Sequence, residues 1–356
     1  MARRPSVCVA MSGGVDSAVV ASILAKRGYD VIAVTMQIWQ ESQTDPRHSG
    51  CCSLGAVEDA RRCARVLGIP HYVIDFKDAF KRTVIDEFVD EYTRGRTPNP
   101  CVTCNRAVKF DALLAKSRAL GCDFLATGHY ARVRRGSPRN RLLRSKGGHK
   151  DQSYVLYAMS QDQLDQVWFP LGEIGDKAET RRLASEAGLP VANKPDSQEI
   201  CFVSEAGGYK QFLRKVKPEA FSKGELVDSS GKVIGEHEGV AGFTVGQRRG
   251  VGVAVGSPLY VIAIQPESNR VVIGPGDELM RTDVELTDVQ WSGFLPAATP
   301  MKVMAKIRYN MAPVPARLYA LPEPRIVFDQ PVRAVTPGQI AVAYRGETVV
   351  AGGTIL

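Results

Sequence analysis

The chain has 356 residues, of which 44% are hydrophobic and 24% charged, and a formal net charge of +8. That length buries more than one core and that composition excludes intrinsic disorder, while no apolar run approaches the roughly 20 residues of a membrane-spanning helix. The N-terminus enters a strand without a signal-like apolar segment, so the cytoplasm is the expected location, and the excess of positive charge suits a polyanionic partner without naming one.

From the N-terminus, the apolar run Ser6 to Ala10, the loop Met11-Ser12-Gly13-Gly14 and the stretch from Val15 read as strand, tight turn and helix. Gly13 and Gly14 admit backbone angles closed to other residues. They let main-chain N–H groups approach a ligand at the positive end of the helix dipole, an anion site suited to phosphate. A plain turn capped by Asp16 or Ser17 would use the same residues. Gly28 stops the helix, and Val31 to Met36 is a second strand, apolar throughout as buried parallel strands are. After a polar loop from Gln37 to Ser53 come a helix from about Ala56 to Leu67 and a strand from His71 to Asp75. A long helix from Asp78 to Arg94 follows, whose Phe80, Val84, Ile85, Phe88, Val89 and Tyr92 form one core-facing stripe.

Pro98 and Pro100 hold the next segment extended, with a helix expected near Arg106, which sets Cys101 and Cys104 near a helix N-terminus where the dipole favours the thiolate. The chain's eight cysteines are expected to be reduced. Cys8 and Cys63 read as small core residues, and Cys51, Cys52 and Cys122 have no partner spacing. A strand from Asp123 to Thr127 runs into Gly128-His129-Tyr130, so Met11, Met36 and Gly128 stand at the carboxyl ends of parallel strands, where open α/β sheets bind ligands. Arg132, Arg134, Arg135, Arg139, Arg141 and Arg144 make a basic hairpin, readable as a solvated loop or as a phosphate-contacting surface. Helices from Lys177 to Ala187 and from Tyr209 to Val216 close the α/β part.

Beyond Pro218, turn signals separate short alternating runs, and the chain reads as all-β. Leu259 to Ile264 and Val271 to Ile273 fit one small barrel, and the segment after Met280 a second. In a strand over Met301 to Tyr309, Lys302, Met304, Lys306 and Arg308 share one face, and Val303, Ala305, Ile307 and Tyr309 the other. The basic face serves oligonucleotide binding or a solvated edge equally well. The expected architecture is a doubly wound, Rossmann-like parallel sheet over residues 1–217, a small β domain over 218–280 and a β-barrel over 281–356.

The loop Ser12-Gly13-Gly14-Val15-Asp16-Ser17 resembles the S-G-G-x-D-S loop of the N-type ATP pyrophosphatases, which grips the pyrophosphate of ATP while an adenylyl group passes to an oxygen. Further motifs follow in order: Asn99-Pro100-Cys101-Val102-Thr103-Cys104-Asn105, Thr127-Gly128-His129-Tyr130, Lys150-Asp151-Gln152-Ser153-Tyr154, Asp196-Ser197-Gln198-Glu199-Ile200-Cys201-Phe202 and Thr336-Pro337-Gly338-Gln339. Together they resemble the tRNA-specific 2-thiouridylases over nearly the whole chain. The resemblance implies that ATP, with Mg²⁺, activates O2 of the wobble uridine of tRNAs for Glu, Gln and Lys, and that sulfur replaces the adenylate with release of pyrophosphate and AMP. It implies nucleotide contacts at Ala10, Met11, Ser12, Gly13, Gly14, Val15, Asp16, Ser17, Met36 and Gly128, with Asp16 serving adenylation. Cys104 is the implied nucleophile and Cys201 the implied persulfide carrier. The implied tRNA contacts are Asn99, Pro100, Cys101, His129, Lys150, Asp151, Gln152, Ser153, Arg308, Tyr309 and Gln339. The sulfur donor would be a cysteine desulfurase, a relay protein or free sulfide.

One position departs from the family's better-known branch, which carries Asp where this chain has Cys101, so that residue's acid/base role does not carry over. Cys101, Cys104 and Cys201 can instead hold a [4Fe–4S] cluster with one iron open to sulfide, the favoured expectation for a Cys-x-x-Cys branch. A persulfide without a cluster is the alternative and structural zinc a third. Competing functions are an argininosuccinate synthetase-like or amidotransferase-type adenylating enzyme, and an RNA-binding protein whose loop is only structural.

Overall fold

The computed structural model describes residues 3–39, 54–147, 150–196, 200–252 and 258–356. Most of the polar loop after Gln37, with Cys51 and Cys52, lies outside the described residues, as do Ser197, Gln198 and Glu199. The chain forms two compact units. One comprises Met1–Val84, Cys101–Glu205 and Glu347–Val349, the other Ile85–Pro100, Ala206–Gly346 and Val350–Leu356.

In the first unit, β1 (Ser6–Ala10), β2 (Asp30–Gln37), β3 (His71–Asp75), β4 (Phe124–Ala126) and, beyond the hairpin β5 (Ala131–Arg134) and β6 (Arg141–Arg144), β7 (Val167–Trp168) build the architecture. The sheet is wholly parallel with order β3-β2-β1-β4-β7. The chain winds outward from β1 through β2 to β3 and then restarts on the opposite side at β4. The switch point, where such sheets open a crevice, therefore lies between the carboxyl ends of β1 and β4. Helix α1 (Val15–Lys26) is apolar nearly all round, and Val15, Ala18, Val19, Val20, Ala21 and Leu24 are buried in the same core as Val7, Val9, Ala126 and Leu171. A helix buried on every side fixes its N-terminus, and thus the preceding loop, as firmly as the sheet itself. The basic hairpin forms as expected, pairing Ala131 with Arg144 and Arg134 with Arg141.

Two helices differ from the sequence reading. The stripe from Phe80 to Tyr92 is buried throughout, but the helix carries a π-helical turn over Lys81–Ile85 between Lys77–Phe80 and Asp86–Thr93. The helix expected near Arg106 begins at Pro100. Its turn Pro100–Thr103 runs into a π-helical stretch Cys104–Ala112 and then Leu113–Ala119. Proline is tolerated at the first helical position because its missing N–H would have had no partner there, so Pro100 starts the helix rather than delaying it.

In the second unit, the helices Asp86–Thr93 and Tyr209–Val216 meet through Phe88 edge-on to Phe212 and Tyr92 stacked on Tyr209, with ring centroids 6.0 and 4.9 Å apart. Strands β8 (Gly224–Asp228), β9 (Val233–His237), β10 (Tyr260–Gln265) and β11 (Arg270–Gly274) form a small sheet of order β10-β11-β8-β9 over Leu226, Val240, Phe243, Val261 and Val271. The remaining strands β12 (Met280–Trp291), β13 (Met301–Lys306), β14 (Val314–Tyr319), β15 (Arg325–Arg333), β16 (Ile340–Arg345) and β17 (Thr348–Ile355) run in the order β12-β15-β14-β13-β16-β17. Pairing of Leu286 with Ile355 and of Trp291 with Ala351 joins β12 to β17 and closes a six-stranded antiparallel barrel.

The basic face expected over Met301 to Tyr309 is shorter than the alternation suggested. Strand β13 ends at Lys306, the alternation stops there, and Lys306 is buried, its ammonium donating to the Tyr309 carbonyl at 3.0 Å and lying 5.4 Å from the Tyr309 ring. Tyr309 is turned outward instead and is 41% exposed.

Candidate active site

The site begins at the loop between β1 and α1. Met11 N–H donates to the Val34 carbonyl at 2.8 Å, and Thr35 Oγ1 donates to the Met11 carbonyl at 2.8 Å, which ties the loop's first residue to β2. Ser17 Oγ accepts from Ser12 N–H at 3.1 Å and donates to the Gly14 carbonyl at 3.1 Å, so the loop is braced from within. Gly13 has φ +69°, and a Cβ there would stand 2.1 Å from the Ala56 carbonyl oxygen. Gly14 is the N-cap of α1 and supplies no side-chain cap. The N–H groups of the first turn are therefore not taken by a cap, and they carry the positive end of a dipole worth about half a charge. Gly128 closes the other side: a Cβ there would meet Ser17 N at 2.9 Å and Asp16 Cβ at 3.0 Å.

Around this loop the first unit gathers a charged network. Asp16 accepts from Tyr130 Oη at 2.8 Å and pairs with Lys177 at 2.6 Å and Lys150 at 3.5 Å. Asp196 pairs with Lys177 at 2.6 Å, with Lys150, and with Arg181 at 3.7 Å. Lys194 donates to the Gly13 carbonyl at 3.1 Å and pairs with Asp59 at 2.7 Å. Burial alone would push the Lys150 ammonium down, but Asp196 and Asp16 more than reverse it and its pKa stands above the usual value. For Asp196 burial pushes up, and the bonds from Lys150 and Lys177 win, holding the carboxyl below its usual range. Burial first, and Asp16 second, push the Tyr130 hydroxyl up, so it stays protonated and donates to Asp16.

The expected nucleotide contacts Ala10 to Ser17, Met36 and Gly128 lie at the carboxyl ends of β1, β2 and β4, in the turns beyond them or, for Val15 to Ser17, in the first turn of α1. Lys150, expected at tRNA, pairs with Asp196 and, at 3.5 Å, with Asp16 of the loop. The Asp151 side chain, 6% exposed, accepts from Arg144 Nε at 2.9 Å and from Ser153 Oγ at 3.0 Å, Ser153 is fully buried, and Gln152 Oε1 accepts from Tyr130 N–H at 2.9 Å. These three shape the turn that presents Lys150, and Gln152 ties it to the Tyr130 backbone. His129 Nδ1 lies 2.7 Å from Thr127 Oγ1 between Phe110 and Phe169. Burial, with a smaller contribution from Lys109, pushes its pKa well down, so the ring is neutral at pH 7.

Cys101 is exposed, Cys104 is part-exposed where the π-helical stretch begins, and Cys201 is part-exposed at the first residue of the helix Cys201–Glu205. The adjacent Asn105 is buried and donates from Nδ2 to the Val155 carbonyl at 3.0 Å. Three thiols have the donor chemistry of a cluster site, but among the described residues no group of three His, Cys, Asp or Glu side chains stands close enough to hold a metal ion.

In the second unit, Arg308 donates to the Arg333 carbonyl at 2.9 Å, and the Arg333 guanidinium covers the Tyr260 ring at 4.3 Å, lowering that phenol's pKa. Gln339 Nε2 donates to the Thr97 and Pro98 carbonyls at 2.9 and 3.2 Å, and Thr97 N–H donates to the Pro337 carbonyl at 2.8 Å. Gln339 thus holds the segment that leads to Asn99, Pro100 and the cysteine helix.

Family models match in three consecutive stretches: "tRNA methyl transferase HUP domain" over residues 5–205, "tRNA methyl transferase PRC-barrel domain" over 210–275 and "Aminomethyltransferase beta-barrel domain" over 281–355. A tRNA-specific 2-thiouridylase MnmA of Heliobacterium modesticaldum is 49% identical over 99% of this chain and 93% of its own. The proteins of that name from Carboxydothermus hydrogenoformans and Clostridium perfringens are 47% and 46% identical, each over 99% of this chain and 98% of their own. The chain belongs to the tRNA-specific 2-thiouridylase family. Its first unit, matched by the HUP-domain model, has a wholly parallel, Rossmann-like sheet. None of its described helices is long and apolar enough to cross a membrane.

Tyr130, Lys177, Lys194 and Asp196 were not singled out as site residues by the sequence. Lys177 and Lys194 stand in stretches that read as an ordinary helix start and a polar turn, and only the fold brings them to the loop.

Two outcomes follow. Gly13→Ala drives a methyl group into Ala56 at a positive φ, so ATP affinity should fall at least about tenfold, measured by calorimetry. His129 binds a proton less readily folded than unfolded, so it withdraws stability as pH falls through about 6.5. His129→Gln should flatten the loss of melting temperature between pH 7.5 and 5, and an undiminished loss would contradict the assignment.

Proposed function

We propose that this protein is an ATP-dependent tRNA sulfurtransferase that 2-thiolates the wobble uridine of tRNAs for Glu, Gln and Lys. The observation that carries the proposal is the braced, uncapped Ser12–Ser17 loop at the sheet's switch point, with Gly128 packed against Asp16, in a chain that matches relatives bearing the 2-thiouridylase name over 93–98% of their length. A methyltransferase, as the family models' descriptions read, would need no pyrophosphate-gripping loop.

In this reading the Ser12–Ser17 backbone and the first turn of α1 receive the phosphates, and Met36 and Gly128 border the adenine nucleotide. A uridine O2 is a poor leaving group, so its attack on the α-phosphate, with departure of pyrophosphate, makes an adenylate that a sulfur nucleophile can displace. Mg²⁺, which usually arrives on substrate phosphates and needs only one or two carboxylates, would be held by Asp16 and would offset charge on the triphosphate. Cys201 receives sulfur as a persulfide from a desulfurase or relay protein. The Cys104 thiolate attacks the inner sulfur of the persulfide, which releases hydrosulfide and leaves a Cys104–Cys201 disulfide. Hydrosulfide adds at C2 of the uridine and expels AMP. An external thiol reductant returns the disulfide to two thiols. Asn99, Pro100, His129, Lys150 to Ser153, Arg308, Tyr309 and Gln339 are proposed to frame the tRNA, Gln339 by holding the Thr97–Pro98 segment. The three-part division at 1–217, 218–280 and 281–356 assigns adenylation to the first part and RNA binding to the last.

A second reading of the sulfur step puts a [4Fe–4S] cluster on Cys101, Cys104 and Cys201, favoured by Cys101 lying one helical turn from Cys104. The persulfide route predicts that anaerobically purified protein holds little iron and that Cys101→Ala keeps at least about half its persulfide-dependent thiolation while Cys104→Ala loses all of it. About four irons per chain, with activity lost in Cys101→Ala, would replace it by the cluster route. An adenylating enzyme of another substrate class would form no AMP in response to tRNA, and a purely RNA-binding protein would form none at all.

A further inference from the structure

We propose that Lys177, with Lys150 beside it, is a binding residue for the β- and γ-phosphates of ATP, and that Asp196 is the anion that occupies this seat until the nucleotide displaces it. The proposal deepens the adenylating reading above and rests on it.

Lys177 stands at the first position of the helix Lys177–Glu186, whose N-cap is Asp176. A cation there opposes the helix dipole, so its presence is not explained by helix stability. What it does instead is bridge Asp16 and Asp196, at 2.6 Å each. Lys150 reaches the same two carboxylates, and Arg181 approaches Asp196 at 3.7 Å. Three cations therefore surround two carboxylates, beside an α1 N-terminus that adds further positive potential. Neutralising the carboxylates alone would not require that surplus. The side chains of Lys150, Lys177, Asp16 and Asp196 remain 21–27% exposed, so the cluster is reachable from solvent and is not a sealed core network. A terminal pyrophosphate brings more negative charge than Asp196 and several acceptor oxygens, which suits compact ammonium donors. Arg181 donates to the Ala192 and Lys194 carbonyls at 2.7 and 2.9 Å, which ties the segment preceding Asp196 to the same helix. Asp196 can thus withdraw from the lysines while its backbone stays anchored through Arg181.

The exchange also gives Lys150 a second meaning. It lies in a turn that the resemblance assigns to tRNA, yet its ammonium is on Asp196 and on Asp16 of the loop. A nucleotide that releases Asp196 repositions the end of that turn.

The test is calorimetric titration of the full chain with ATP and, separately, with AMP, which lacks the β- and γ-phosphates. Lys177→Met should weaken ATP by about tenfold or more and leave AMP within about twofold, and Lys177→Arg should retain most of the ATP affinity. Asp196→Asn should tighten ATP by about threefold or more, because it weakens the competing anion, and should leave AMP unchanged. An ATP affinity unchanged in Lys177→Met, equal losses for ATP and AMP, equal ATP losses in the Met and Arg variants, or weaker ATP binding in Asp196→Asn would each overturn the proposal. Failure of the broader reading would show elsewhere: wild-type protein that forms no AMP with tRNA contradicts thiolation yet leaves the ATP-against-AMP difference standing.

Discussion

The constraint on which the candidate site depends is charge held in place around an uncapped helix start. Gly14 leaves the first turn of α1 without a side-chain cap, and burial of α1 on all sides prevents that end from turning to water. A positive potential fixed in the crevice has to be answered by something. In the structure, Asp16 and Asp196 lie among Lys150, Lys177 and Arg181, which makes the site electrostatically ready for an anion of higher charge than either carboxylate.

Sulfur chemistry needs the opposite arrangement. A reacting thiol must be reachable, and Cys101 is exposed in the turn that starts at Pro100 while Cys104 is part-exposed at the residue that follows it. The π-helical stretch that follows Cys104 departs from regular hydrogen bonding directly beside the proposed nucleophile, a place where such irregularity often marks function. Gln339 then matters through the backbone it holds: its amide is committed to the Thr97 and Pro98 carbonyls, and Gly338 lets the chain approach because a Cβ there would stand 2.9 Å from Thr97 N. In the second unit a barrel residue thus secures the approach to Asn99 and Pro100.

Much of this was legible before any coordinates. Apolar continuity identified β1 and β2, and the Gly-Gly turn before a small-residue helix identified the strand–turn–helix junction, because local backbone requirements leave few alternatives. The helix start at Pro100 was misplaced since proline excludes helix interiors but not first positions. The face over Met301 to Tyr309 was misread because alternation holds only while the strand continues, and β13 stops at Lys306. Lys177 and Lys194 carried no local signal, and Asp196 stood only as the first residue of a motif: their meaning at the loop is tertiary, created when segments over 100 residues from it fold onto it. The Cys-x-x-Cys spacing was plain in the sequence, whereas the gathering of its thiols with Cys201 was not found among the described residues.

In the proposed reaction the loop activates a uridine oxygen for replacement by sulfur. The most direct measurement uses a tRNA whose wobble uridine carries a heavy-oxygen label at O2, with mass spectrometry of the AMP released during thiolation. The account predicts that the label leaves the base and appears in the AMP phosphate, one labelled AMP for each sulfur incorporated. Label retained in the tRNA, or lost to water with unlabelled AMP, would contradict it.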